Sequence, residues 1–131
     1  MTPNRPLILA VVDDDDDVRI ALSRLLRAMG HAVRLFASAE EFETGNPPVD
    51  CVIADVRLPG LSGLELRERL RKTNDSPPVV LITGDGDRLA RDFRNALDSP
   101  VLTKPFDAAV LAEAIASAMS MTPLQRERHA H

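Results

Sequence analysis

Short apolar runs that alternate with helix-like segments restrict this chain to few folds. The clearest run, Cys51 to Ala54, leads into one acid, Asp55, and then into a loop that contains Pro59 and Gly60. A continuous apolar run between turn residues is typical of a strand covered on both faces of its sheet. The sequence predicts five strands, at residues 7–12, 32–36, 51–55, 79–82 and 101–103.

Residues with helical spacing fill the intervals between these strands. In the first interval Val18, Leu22 and Leu26 form an apolar stripe, and Gly30 supplies the stop. Four further helices are predicted, over residues 38–42, from Ser62 onward, over residues 88–97, and after an Asp107 cap.

Some side chains in these helices carry specific predictions. Ser38 and Glu41 have the spacing of a capping box, in which each side chain receives the other's backbone N–H. Arg67 is expected in water, opposite the apolar stripe of its helix. Val110 is expected to face inward with the stripe of the last helix.

The alternation of strands and helices predicts an α/β fold. Helical crossovers between strands require right-handed parallel pairing and helices on both faces of the sheet. At 131 residues the natural choice is one doubly wound, flavodoxin-like domain with strand order 2-1-3-4-5. We expect this domain to span residues 1–120 and residues 121–131 to form a polar, frayed tail.

Composition excludes several classes of function. The formal net charge is −4, and no cluster of lysine and arginine offsets it, so a nucleic-acid-binding surface is not expected. Cys51 is the single cysteine, which excludes an internal disulfide. No apolar run approaches the length of a membrane span, so the expected location is the cytoplasm.

Polar residues follow four of the predicted strands at one end. Asp13 and Asp14 follow the first strand, Asp55 the third, Thr83 the fourth and Lys104 the fifth. Because parallel strands present their carboxyl ends at the same edge of a sheet, these residues are expected to open onto one crevice.

The chemistry of this set indicates phosphoryl transfer. Two unit charges about 4 Å apart repel by about 4 kcal/mol at an effective dielectric constant near 20, so clustered carboxylates call for a cation. Mg²⁺ meets this need with only one or two direct carboxylates. A lysine and a hydroxyl suit phosphoryl oxygens, and a free carboxylate is a nucleophile.

Over residues 7–119 the chain resembles the receiver domain of two-component response regulators. Four motifs stand in order at family-like spacing, and together they are highly specific. They are VVDDD at residues 11–15, ADVRLPGLSG at 54–63, ITG at 82–84 and TKPF at 103–106.

The resemblance implies a phosphoacceptor with a bound metal ion. Asp55 is implied to attack a phosphohistidine on a partner kinase. Mg²⁺ is implied to bind Asp14, Asp55 and the main-chain carbonyl of Arg57, with Asp13 acting through water.

The resemblance also implies roles around the phosphoryl group. Lys104 is implied to pair first with the carboxylate and then with the phosphoryl group, and the peptide bond from Lys104 to Pro105 is implied to be cis. Thr83 is implied to move and to hydrogen-bond the phosphoryl group, which carries the signal outward.

Two features depart from the family's pattern or modulate it. Val101 stands where the family usually carries an aromatic residue, so we expect an altered readout and a small structural change on phosphorylation. Arg57 and Asp85 lie two residues beyond Asp55 and Thr83, and their opposite charges are expected to pair across the mouth of the site and obstruct water.

The leading hypothesis is a signalling module that modifies only itself and does not act as an enzyme on a separate metabolite. Its first helix is expected to dock a histidine kinase or a histidine phosphotransfer protein, and its downstream target is an unknown protein. One alternative is a Mg²⁺-dependent phosphohydrolase with an aspartyl nucleophile, in which a second acid would stand at Arg57. Another is a pseudo-receiver that only binds partners.

Overall fold

The computed structural model describes residues 6–73, 76–84 and 99–120. The predicted helix over residues 88–97, Asp85 and the predicted tail lie outside the described residues. Along the described chain the elements are β1 (Ile8–Val12), α1 (Asp16–Ala28), β2 (Ala32–Phe36), α2 (Ala39–Gly45), β3 (Cys51–Asp55), α3 (Gly63–Arg71), β4 (Val79–Thr83), β5 (Val101–Thr103) and α4 (Ala108–Ser120).

The strands form one parallel sheet in the order β2-β1-β3-β4-β5. Successive side chains of a strand point to opposite faces, so each buried strand feeds two apolar layers. Val11 and Ile53 lie in the layer under α1 and α4, whereas Val12 and Ala54 lie in the layer under α2 and α3. The predicted fold class and strand order are confirmed.

Side-chain caps set the first residues of α1 and α3, the helices that follow β1 and β3. Asp15 caps α1 by accepting the backbone N–H groups of Asp17 and Val18. Ser62 and Glu65 form a complete capping box at the start of α3. The Asp15 cap begins α1 four residues after β1 ends, and the Ser62 cap begins α3 after a loop of seven residues, 56–62.

The capping box predicted for α2 is only half formed. Ser38 Oγ accepts the N–H of Glu41, as predicted. The Glu41 carboxylate, however, receives the N–H of Ala37 at 3.4 Å instead of the N–H of Ser38. The helix also continues past Phe42 and ends at Gly45.

Two side chains differ from the prediction in their exposure to solvent. Arg67 was expected in water, but the residue is only 1% exposed. Its Nε donates to Ser99 Oγ at 2.6 Å, and its head group pairs with Glu68. Val110 was expected to face inward, but it is 41% exposed.

In the described part of the chain, no helix is long and apolar enough to cross a membrane.

Candidate functional site: the carboxyl edge of the sheet

Three of the predicted site residues meet at the carboxyl edge of the sheet. Lys104 Nζ lies 3.1 Å from Asp55 Oδ2 and 3.9 Å from Asp13 Oδ2. The backbone explains this approach, because Lys104 N–H donates to the carbonyl of Thr83 and so continues the pairing of β4 with β5. The lysine therefore leaves β5 pointing across β4 toward the end of β3.

The Asp55 carboxylate is held through both of its oxygens. Oδ2 accepts from Lys104, and Oδ1 accepts the main-chain N–H of Arg57 at 2.8 Å. The side chain is 12% exposed, so it is neither sealed from a partner nor fully hydrated. A carboxylate fixed at both oxygens in a partly dry crevice is oriented before any reaction begins.

Asp13 is the most buried charged group of the crevice. The residue is 2% exposed, and its Oδ1 accepts the N–H of Asp15 at 2.9 Å. Its Oδ2 is buried and has no hydrogen-bond partner among the residues that the structure describes. Burial raises the pKa of Asp13 to about 6, and the charge of Asp55 adds to that effect. The hydrogen bond from the Asp15 N–H and the charge of Lys104 lower the pKa and only partly oppose this rise.

Lys104 responds to the same charges in the opposite direction. Burial lowers the pKa of its ammonium and is the largest single influence, but the hydrogen bond to Asp55 and the negative charges of Asp55 and Asp13 together outweigh it. The net effect is a pKa above the ordinary value for lysine, so Lys104 is a permanent cation at neutral pH. The peptide bond from Lys104 to Pro105 is cis, as expected.

The family to which this geometry belongs is decided by sequence comparison. The model of the response regulator receiver domain matches residues 9–116. This chain belongs to the response regulator receiver family. The receiver is 37% identical over 123 residues to response regulator protein TmoT of Ectopseudomonas mendocina, covering 92% of this chain and 56% of that protein.

Other relatives agree with this assignment. Transcriptional regulatory protein FixJ of Azorhizobium caulinodans is 38% identical over 118 residues, which is 88% of this receiver and 56% of FixJ. The crystal structure of FixJ-N superposes with a TM-score of 0.79 at 31% identity and covers 90% of this chain and 97% of that one. The receiver thus spans about half the length of the curated relatives it matches.

The remaining predicted site residues have different surroundings. Thr83 is fully buried at the end of β4, beside β5. Asp14 is exposed next to Asp13, at the start of the turn that leads to α1. Val101 is half-buried at the start of β5 and packs against the layer under α2 and α3. The predicted partner of Arg57, Asp85, lies outside the described residues.

The receiver's carboxylates can be tested against the Mg²⁺ that the family resemblance implies. Within the described ranges, no group of three or more histidine, cysteine, aspartate or glutamate side chains is gathered closely enough to hold a metal ion. The buried Oδ2 of Asp13, which has no hydrogen-bond partner among the described residues, nevertheless lies 3.9 Å from Lys104 Nζ. Because Mg²⁺ keeps several waters and takes only one or two direct carboxylates, this donor set fits the ion.

Arg19 is a site residue that sequence reasoning missed. It lies off the apolar stripe of α1, where side chains are typically solvated, yet its side chain is only 16% exposed. Its guanidinium donates to the main-chain carbonyl of Asp13 at 2.6 Å and pairs with Asp16. Arg19 thereby ties α1 to the turn that carries the acids. The acidic run at residues 13–17 is a signal for a basic partner, but only the path of the turn shows which arginine reaches it.

Proposed function

We propose that this receiver accepts a phosphoryl group on the Asp55 carboxylate, from the phosphohistidine of a histidine kinase or a histidine phosphotransfer protein. The observation that carries the proposal is the Lys104 ammonium, which lies 3.1 Å from Asp55 Oδ2. The buried Oδ2 of Asp13 beside this pair supports it, because this oxygen has no hydrogen-bond partner among the described residues and is suited to a cation that accompanies phosphate. Membership of the receiver family supports the same reaction.

The transfer exchanges one bond to phosphorus for another. An Asp55 oxygen attacks the phosphorus atom, the new O–P bond forms, and the P–N bond to the donor imidazole breaks. The electron pair of the broken bond returns to the imidazole nitrogen. Lys104 stabilises the charge on the phosphoryl oxygens, since a preorganised cation in a partly dry site requires little rearrangement during the reaction.

Mg²⁺ is the ion proposed to share this crevice. Asp14, Asp55 and the main-chain carbonyl of Arg57 are the proposed direct ligands, and Asp13 acts through water. When bound, the ion neutralises charge on the phosphoryl oxygens and on the clustered carboxylates. Burial and, to a smaller extent, the charge of Asp55 raise the pKa of Asp13, and a bound cation would offset the repulsion between the two carboxylates.

The readout of phosphorylation is proposed to start at Thr83. Its hydroxyl moves toward the new phosphoryl oxygens and donates a hydrogen bond to one of them. Val101 has no large ring to rotate into the space that Thr83 leaves. We therefore expect a smaller structural change than an aromatic residue at this position would give.

The proposed partners are proteins. The donor docks on α1, which begins beside the acidic turn. Ile20 on this helix is 45% exposed and offers an apolar contact. The output passes through contacts with a downstream protein or with a further part of a longer regulator. The curated relatives are about twice as long as the region that matches this chain.

A phosphohydrolase with an aspartyl nucleophile is the rival function. Such an enzyme needs a second acid two residues after the nucleophile, and Arg57 stands there. The Arg57 main-chain N–H, moreover, already holds Asp55 Oδ1. We therefore propose that the receiver acts only on its own phosphoryl group and does not turn over a separate metabolite.

Chemical trapping locates the acceptor. The receiver is incubated with a small acyl phosphate and Mg²⁺ and then reduced with borohydride, which converts an aspartyl phosphate to homoserine. Peptide mass mapping is expected to find homoserine at position 55 alone. Homoserine at another aspartate, with aspartate intact at position 55, would contradict the proposal.

A further inference from the structure

Glu40 of α2 binds the loop that follows the proposed phosphoacceptor. Its Oε2 accepts the N–H of Leu61 at 3.0 Å, across 21 residues of sequence. The same oxygen lies 2.5 Å from the position that a Cβ on Gly60 would occupy, and Gly60 has a φ of +75°. The carboxylate therefore sits directly over the Gly60–Leu61 peptide, where only a glycine leaves room for it.

The charge of Glu40 strengthens this contact. The hydrogen bond from the Leu61 N–H holds the pKa of Glu40 below its usual range, and the nearby Arg69 adds to that effect. Glu40 is therefore a carboxylate at neutral pH, and a backbone N–H bonded to a charged acceptor makes a stronger hydrogen bond than a neutral pair does.

The loop held by Glu40 is attached to Asp55 at both of its ends. At the start of the loop, the Arg57 N–H donates to Asp55 Oδ1. At its end, Gly63 N–H donates to the carbonyl of Val56, and Gly63 packs against the main chain of Asp55. Glu40 fixes the middle of this segment, so the placement of the Arg57 main chain depends on a side chain from another helix.

We propose that Glu40 is a positioning residue for phosphoryl transfer to Asp55, acting through the Gly60–Leu61 peptide. This inference rests on the proposed function. By holding the loop, Glu40 keeps the Arg57 N–H directed at Asp55 Oδ1 and the Arg57 carbonyl at the edge of the crevice. Without it the loop samples other conformations, and the oriented form of the Asp55 carboxylate becomes a smaller fraction of the population.

A neighbouring contact provides a matched control. Glu43, also on α2, pairs with Arg69 of α3 at 2.8 Å. This pair fastens α2 to α3, whereas Glu40 fastens α2 to the loop. If Glu40 only fastened α2 to its surroundings, removing Glu43 would have a comparable effect on phosphorylation.

The experiment compares E40A, E40Q and E43A with the unchanged receiver. The rate of phosphorylation by acetyl phosphate and Mg²⁺ is followed by intact mass, alongside the free energy of unfolding and the hydrogen exchange of the Leu61 amide. We expect E40A to slow phosphorylation by about threefold to tenfold, the scale of one typical intramolecular hydrogen bond. E40Q retains an amide oxygen for Leu61 and is expected to restore the rate to within about twofold.

The outcomes separate this inference from the proposed function. E40A is expected to speed Leu61 exchange and E43A to leave both that exchange and the rate unchanged. Equal rates in E40A and E43A would overturn the positioning role alone. If the unchanged receiver gains no phosphoryl group, the proposed function fails first and the inference fails with it.

Discussion

Arg67 Nε donates to Ser99 Oγ at 2.6 Å and so ties the middle of α3 to the residue that leads into β5. The guanidinium is almost fully buried, and burial lowers its pKa to about 10, with the nearby Arg71 adding to the effect. Leu81 N–H donates to the carbonyl of Pro100, the next residue after Ser99. The contact therefore helps to hold the strand from which Lys104 emerges.

Ser99→Ala is expected to destabilise the receiver because it leaves a buried charged donor without this acceptor. The expected loss in the free energy of unfolding is about 1–3 kcal/mol. Urea denaturation measures it. The exposed Ser117→Ala on α4 is the control, with an expected change within about 0.5 kcal/mol. Equal changes in the two variants would show that the Arg67–Ser99 bond contributes nothing to stability.

Asp13→Asn is expected to stabilise the metal-free receiver near neutral pH. Folding raises the pKa of Asp13 from 3.8 to about 6, so the folded state binds more protons than the unfolded state between these values. Stability is therefore lost as pH rises through this window, and asparagine removes the loss. The expected gain is about 1–3 kcal/mol above pH 6, because a tenfold change in an acid's ionisation constant on folding corresponds to about 1.4 kcal/mol.

The pH dependence tests this explanation. Urea denaturation without Mg²⁺ is run at about pH 7.5 and about pH 4.5, where most of the destabilisation has been relieved by protonation. The gain from Asp13→Asn is expected to shrink at the lower pH. The exposed Asp17→Asn serves as a control for loss of one negative charge. A gain of the same size at both pH values would refute the electrostatic origin.

Gly63→Ala is expected to damage both the fold and the site. A Cβ there would lie 2.9 Å from the carbonyl carbon and closer still to the carbonyl oxygen of Asp55, and 3.2 Å from Val56 Cα. Because these are backbone atoms, β3 itself must shift, and overpacking of this kind costs about 1–3 kcal/mol.

Gly45→Ala is the matched control for this substitution. A Cβ at Gly45 would meet only Phe36 Cε1 at 3.7 Å and Pro47 Cδ at 3.9 Å, which are ordinary contacts. Thermal unfolding and the rate of phosphorylation are measured for both variants. Loss of stability and rate in Gly63→Ala alone is expected, and a Gly63→Ala protein that matches the control would contradict the close approach to Asp55.

Asp85→Ala is expected to shorten the lifetime of the phosphoryl group. The sequence places Arg57 and Asp85 two residues beyond Asp55 and Thr83, and their pairing is predicted to obstruct attacking water. The loss of phosphoryl mass after removal of the donor measures the lifetime. An unchanged or slower decay would rule out this role for Asp85.

The sequence was sufficient to predict the sheet and the meeting of Asp13, Asp55 and Lys104. Each residue lies at the end of an apolar run, and parallel order sends such ends to one edge. The contacts of Arg67 and Glu40 were not predictable in this way. Both depend on where a distant segment passes over a helix, and helical periodicity alone assigns charged residues to water.

The central claim is that Asp55 accepts the phosphoryl group, and intact mass tests it most directly. The receiver and its Asp55→Asn variant are incubated with a small phosphodonor and Mg²⁺. The receiver is expected to gain the mass of one phosphoryl group, and the variant is expected to gain none. No gain in the receiver, or an equal gain in Asp55→Asn, would contradict the claim.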